Sequence, residues 1–98
     1  MKNDAQDPVS VVFEEEMQRS AAYVNGAQIG ECEYQVSDST WVITHTGVRP
    51  EFGGRGIARK LVDKVVEAAR ERKVRILPVC SYAVKVLAGE EYADVRHR

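Results

Sequence analysis

Three groups of residues in this chain have the types and spacing to do chemistry. The first is Val48-Arg49-Pro50-Glu51-Phe52-Gly53-Gly54-Arg55-Gly56-Ile57-Ala58, a glycine-rich turn ahead of an amphipathic helix. Such a turn directs several backbone N–H groups into one concavity at a helix N-terminus. The macrodipole adds partial positive charge there, so phosphate oxygens are natural guests. Gly53, Gly54 and Gly56 are expected to matter because a Cβ would block φ > 0 conformations and close approach of backbone to ligand. Taken alone, the same cluster also reads as an ordinary turn before a helix. The second group is Cys80, which follows an apolar run and opens a helix. A thiolate there feels the positive end of a helix dipole and could accept an acyl group or form a disulfide. The plain alternative is a small buried hydrophobe. The third is His45, on a β-like segment. Histidine's ordinary pKa suits taking a proton from an ammonium near neutral pH, although strand histidines are often simply hydrogen-bonded structural residues.

These groups need rigid supports. After the turn, Ile57, Leu61, Val65 and Ala69 form one i, i+4 row and Ala58, Val62 and Val66 the row beside it, an apolar stripe for a core. Arg59, Lys60, Asp63, Lys64, Glu67, Arg70 and Glu71 take the other face, with Arg59 and Asp63 at ion-pair spacing. Arg70, Arg72 and Lys73 complement the C-terminal end of the dipole. The spacing predicts a helix over about 55–72.

Ahead of that helix, strands are expected over 9–17, 19–24, 28–36 and 41–48, with Ile29, Tyr34 and Val36 inward on the third. Asn25-Gly26 is a strong hairpin signal and Ser37-Asp38-Ser39 a turn. Behind it come a strand over 75–79 and a short helix over 81–88 ended by Gly89. A right-handed crossover sets the last strand parallel to the fourth. The class is α/β, more strictly α+β, with a mostly antiparallel sheet and one parallel crossover. The expected organisation is a flexible segment over 1–8, one domain over 9–95 and a tail over 96–98.

Composition removes several functions. No Gly-Lys-Ser/Thr follows the turn, so it is not a P-loop, and the glycine spacing and preceding hairpins do not fit a dinucleotide fingerprint. The 98 residues carry a formal charge of −1, so no global field draws in nucleic acid or an anionic membrane. Two cysteines, Cys32 and Cys80, make no disulfide framework, and no metal is expected. No apolar run reaches membrane-spanning length, and the first residues lack a signal peptide's apolar stretch. A cytoplasmic monomer is the expectation.

Four blocks occur together: His45-Thr46-x-Val48-x-Pro50, Gly54-x-Gly56-Ile57-Ala58-x-x-Leu61-Val62, Pro78-x-Cys80-Ser81-Tyr82 and Glu91-Tyr92-Ala93-Asp94. In this order, over about 11–95, they resemble the small GNAT-like family of minimal N-acetyltransferases. The resemblance implies a minimal GNAT fold that binds acetyl-CoA (coenzyme A) and transfers acetyl to an amine. It implies that the two parallel strands part and that the pantetheine arm lies between them like a surrogate strand. Thr46 and Val48 would then offer backbone to the arm. Gly53, Gly54, Arg55, Gly56, Ile57 and Ala58 would cradle the pyrophosphate, with the Arg55 guanidinium available to a phosphate. The superfamily pattern usually begins with Gln or Arg where this chain has Gly53, so one side-chain contact is absent. Cys80 and His45 become the candidate catalytic pair.

Other readings stay open at this level. The chain also fits a coenzyme A-binding module with little turnover, since it lacks the N-terminal helices that shape acceptor pockets in larger relatives. A small α/β interaction domain with a purely structural glycine turn is a third. Tyr82 either protonates a departing thiolate or packs its ring. The run Glu14-Glu15-Glu16 either attracts a cationic amine or is a solvated edge. Cys32, between Glu31 and Glu33, is read as inert because nearby carboxylates raise a thiol pKa.

Overall fold

A computed structural model describes residues 7–97. Most of the flexible segment expected over 1–8 lies outside the described residues. Of its end, Asp7 is buried, with Oδ2 accepting from the Asn25 side chain at 2.7 Å.

Among the described residues five strands form one sheet in sequence order: β1 (Ser10–Glu14), β2 (Arg19–Val24), β3 (Ala27–Ser37), β4 (Thr40–Val48) and β5 (Arg75–Pro78). The first four make an antiparallel meander. Asn25 and Gly26, at φ 51° and 81°, both take the left-handed conformation that a two-residue hairpin needs. Helix α1 (Ile57–Arg72) crosses from β4 to a parallel β5, and a short α2 (Ser81–Leu87) follows. This is the expected α+β architecture.

The core lies between the sheet and α1. Ile57, Leu61, Val62, Val65, Val66 and Ala69 are buried against Ala22, Ile29, Cys32, Ile43 and Ile76. Burying one such aliphatic side chain is worth about 1.5–3 kcal/mol, so this stripe anchors the helix far more firmly than its surface ion pairs do. Ala58 is only half-buried. At the far end of the sheet, Tyr34 and Trp41 stack at 4.2 Å between centroids and Phe13 joins them, while Arg72 lies 5.0 Å over the Phe13 ring. Arg72 also bonds Glu15 at 2.8 Å, and Glu14 pairs with Arg19 at 2.7 Å and with Tyr23. The acidic run is therefore largely engaged in holding β1 and the turn after it.

Several boundaries differ from expectation for identifiable reasons. β1 stops at Glu14, because Glu15–Met17 wind into a 3-10 turn closed by Gln18 in the left-handed region. Val36, expected inward, is half exposed. It lies at the tip of the β3–β4 hairpin, opposite Trp41, near the end of the sheet. Helix α1 begins at Ile57 rather than Arg55, since Gly56 at φ 76° is its N-cap. Gly89 is extended at φ −67°, so it is not a left-handed helix terminator. The work falls instead to Arg96, whose Nη1 donates to Leu87 O at 2.6 Å and Gly89 O at 3.0 Å. The segment expected as a tail is also tied to β5: Ile76 N–H donates to Val95 O at 2.6 Å and His97 N–H to Ile76 O at 2.7 Å.

Candidate functional site

The parallel ladder between β4 and β5 is short. It pairs Thr40, Trp41, Val42 and Ile43 with Arg75, Ile76, Leu77 and Pro78, and stops. Val79 and Cys80 N–H groups still reach Ile43 O, at 2.9 and 3.2 Å. Beyond that point β5 turns into α2 while β4 runs on to Val48. The two strands therefore form a fork with its apex at Ile43 and Cys80. His45 lies inside the opening, because the ladder ends at Ile43.

A β-bulge shapes the open arm. Between Glu33/Tyr34 on β3 and Ile43/His45 on β4 the register shifts by one residue, at Thr44. Tyr34 N–H donates to Gln18 O, on the β2 side, at 3.0 Å. Alternation along β3 then turns the backbone of Cys32 and Gly30 toward β2 as well. Their partners Thr46 and Val48 must point N–H and C=O away from β3, into the fork. Thr46 and Val48 thus turn backbone groups into the fork.

At the mouth of the fork lies a cavity of about 220 Å³ lined by Val48, Phe52, Gly53, Gly54, Gly56, Ile57, Ala58 and Tyr82. Gly54 and Gly56 have φ 78° and 76°, and a Cβ at either would stand in open space. Gly53 differs from the sequence reading: its φ of −67° suits any residue, and a Cβ there would meet Pro50 O at 3.2 Å. Arg55 precedes the helix and gives its Nη2 to Asp7 O at 3.3 Å. It sits in the glycine turn but does not line the cavity.

The two candidate catalytic side chains are not brought together. Thr46 faces the helix side of the sheet, where its Oγ1 is 3.5 Å from Cys32 Sγ and 3.5 Å from Cys80 Sγ. Cys80 is half-buried at the apex and N-caps α2, its Sγ accepting from Ala83 N–H at 3.3 Å. His45, the preceding residue of β4, faces the opposite side, where Nε2 lies 2.7 Å from Glu31 Oε2. Strand alternation separates the imidazole from the thiol by the thickness of the sheet. Cys32 is fully buried; desolvation is the main cause that pushes its thiol up to about 12, with Cys80 and the two flanking glutamates adding to it and the Thr46 hydroxyl opposing it. That agrees with an inert Cys32 but makes burial, rather than its acidic neighbours, the principal reason.

The block Glu91-Tyr92-Ala93-Asp94 is positioned on α1. Tyr92 Oη donates to Asp63 at 2.6 Å and accepts from Arg59 at 2.9 Å, while Arg70 makes two 2.9 Å bonds to Asp94. These contacts fasten the end of the chain to the helix that carries the glycine turn. Sequence inspection found the block but not this role, although Arg59, Asp63 and Arg70 lie on one helical face.

A meander whose last strand parts from a parallel neighbour, with a glycine turn leading into the crossover helix, defines an acetyltransferase-type α+β domain. The chain belongs to the GCN5-related N-acetyl-transferase family, whose sequence profile matches residues 19–95. Among solved structures it is similar to a GCN5-like protein from Staphylococcus aureus. The two share 33% identity over 90% of this chain and 87% of that one, with a TM-score of 0.70. A GCN5-related N-acetyltransferase from Sphaerobacter thermophilus is 29% identical over 63% of this chain, at a TM-score of 0.60, and only 21% of that protein is covered. N-acetylglutamate synthase from Neisseria gonorrhoeae, solved with coenzyme A and N-acetyl-glutamate, shares the fold at 13% identity and a TM-score of 0.63, over 80% of this chain and 21% of that one. No curated protein sequence matches significantly. Among the described residues no helix is long and apolar enough to cross a membrane.

Proposed function

We propose that this chain binds acetyl-CoA in the β4–β5 fork and transfers its acetyl group to an amine. The observation that carries the reading is the fork itself: one strand edge left open over Thr44–Val48, with a glycine-lined cavity at its mouth. The residues fit the ligand. At about 220 Å³ the cavity is below the roughly 300 Å³ at which drug-sized pockets begin, which suits a diphosphate held by amides with the rest of the molecule outside. Gly54, Gly56, Ile57 and Ala58 would hold the pyrophosphate, with Gly53 and Arg55 completing the turn. Thr46 and Val48 would offer backbone to the pantetheine arm, much as a strand partner would.

When bound, acetyl-CoA supplies an activated acyl thioester. What the protein adds is position and proton handling. Cys80 lies at the apex, where an arm running along β4 must end, so it stands beside the reacting thioester. His45, on the other face of the open strand, takes the proton from the attacking ammonium. Because the two residues occupy opposite faces, His45 is not the base that activates Cys80.

Thermal unfolding tests the binding. Acetyl-CoA and free coenzyme A at a hundred times their dissociation constants should each stabilise the protein by about 2.7 kcal/mol, a rise of several degrees in Tm, whereas ATP and NAD should not. Equal protection by ATP would reduce the turn to a generic anion site, and no protection by acetyl-CoA would leave an interaction domain. Intact-mass measurement after incubation with acetyl-CoA then separates the routes. An added acetyl that hydroxylamine removes and Cys80→Ser lacks makes Cys80 a carrier. Retained turnover in Cys80→Ser, with roughly a hundredfold loss in His45→Ala, makes the transfer direct.

A further inference from the structure

On the sheet face away from α1, three side chains form a connected group that the sequence reading did not join. Gln28 Nε2 donates to Glu31 Oε1 at 3.1 Å, and the other oxygen of the same carboxylate lies 2.7 Å from His45 Nε2. The Glu31 side chain is one-quarter exposed, and that of His45 half exposed. The space they share belongs to Gly47. A Cβ there would stand 3.0 Å from Glu31 Oε2 and 3.0 Å from His45 Nε2, closer than nearly all real contacts. Gly47 lies on the part of β4 that no β5 residue pairs. A carboxylate held from one side, an imidazole held by that carboxylate and a glycine that leaves room for both thus sit together on the open arm of the fork.

An ionised carboxylate only accepts hydrogen bonds, so the atom facing Glu31 must carry the proton: His45 donates through Nε2–H. A neutral imidazole protonated at Nε2 has its lone pair on Nδ1. We propose that Glu31 is a positioning residue for acyl transfer, fixing His45 in the Nε2–H form so that Nδ1 takes the proton from an acceptor amine. The proton moves from the ammonium nitrogen to Nδ1, and the resulting imidazolium is stabilised by the Glu31 carboxylate. The freed amine lone pair forms the C–N bond as the thioester C–S bond breaks, and coenzyme A leaves as a thiol once its thiolate takes the second proton of that nitrogen. Glu33, the cross-strand partner of His45, adds a second negative charge to this face. Both carboxylates select a cationic primary amine over a neutral or acidic acceptor. This rests on the acetyl-transfer reading above and adds to it the acceptor's charge and the protonated nitrogen.

The imidazole nitrogens report the tautomer directly. The two histidines, His45 and His97, are separated by a His97→Asn control in ¹⁵N-resolved spectra recorded where imidazole is neutral. Wild type should show His45 in the single Nε2–H form, and Glu31→Ala should show a mixture of both forms. A second measurement uses n-butylamine as the acceptor probe and follows coenzyme A thiol release. Glu31→Ala should lower kcat on the order of tenfold with the acetyl-CoA KM unchanged, and should add little to the loss in His45→Ala. Gly47→Ala, which pushes a methyl into the pair, should reproduce the Glu31→Ala kinetics. An Nδ1–H form in wild type, an unchanged tautomer in Glu31→Ala, or additive losses in the double variant would overturn the assignment. If acetyl-CoA fails to bind wild type while the tautomer behaves as described, the acetyl-transfer reading fails and the Glu31–His45 geometry stands.

Discussion

Replacing Gly56 by alanine separates strain from ligand contact. Gly56 caps α1 with φ 76° and ψ 14°, a conformation that costs an L-residue roughly 1–2 kcal/mol. Alanine also stiffens the unfolded chain, which returns about 0.4–1 kcal/mol. Among the described residues no atom beyond the chain neighbours lies within 4 Å of the new Cβ, so no steric contribution is added. The net expectation is a loss of about 1 kcal/mol, or about 4–8 °C in Tm for a domain of this size. Gly26 offers a matched control: φ 81°, equally open, and in the β2–β3 turn, outside the cavity lining. Gly26→Ala should lose a similar stability and keep full affinity. Gly56→Ala should in addition bind coenzyme A at least tenfold more weakly, because the methyl enters the space the phosphate oxygens would occupy. At a fixed ligand concentration of a hundred times the wild-type dissociation constant, a tenfold loss cuts the protection from about 2.7 to about 1.4 kcal/mol. Calorimetry measures the affinity and thermal unfolding the stability. Wild-type affinity in a destabilised Gly56→Ala protein would refute the phosphate cradle.

An alkylating reagent at pH 8 should label Cys80 and spare Cys32, whose buried thiol is pushed up to about 12, and coenzyme A should slow the labelling of Cys80 alone; equal, unprotected labelling would return Cys80 to core packing. Acid should loosen the end of the chain. Arg70 holds the Asp94 carboxyl below its ordinary value of 3.8, so the folded state favours the ionised form. That stabilisation is complete above the unfolded value and is lost as pH falls through the lower folded one. Arg70→Ala should therefore weaken the protein near neutrality while flattening the fall in Tm below about pH 4; an unchanged acid limb would show that the pair contributes nothing.

Much of the architecture was legible because it rests on local signals. The apolar rows from Ile57 to Ala69 located the crossover helix, and Asn25-Gly26 located the first hairpin. Boundaries failed where a single backbone angle decides them. Gly56 caps the helix from outside, so Arg55 does not belong to it, and Gly53 takes an angle that a spacing argument cannot distinguish from its neighbours'. Val36 failed because alternation predicts a face and not how far the helix reaches along it. That Thr46 and Val48 offer backbone came from the family resemblance; the strand that carries them and the glycine turn after it were legible. The separation of His45 from Cys80 was not, because it depends on the bulge at Thr44 and on which side of β4 the apex cysteine approaches. Arg96 was taken for a tail residue, since its partners Leu87 O and Gly89 O are backbone atoms that carry no sequence signature.

The four-rung ladder between β4 and β5 is also a seam in time. The hairpins of the meander close short loops, whereas the β4–β5 pairing closes a connection that contains all of α1, so β5 is expected to join the sheet late. The apex at Ile43 and Cys80 is therefore where an early-forming unit meets a late one, and amides of β5 should open to hydrogen exchange before those of β3. A ligand lying along the open arm of β4 and reaching the glycine turn touches both units at once. Bound coenzyme A would act as a clasp across that seam, slowing exchange at Ile76 and Leu77, residues it need not contact.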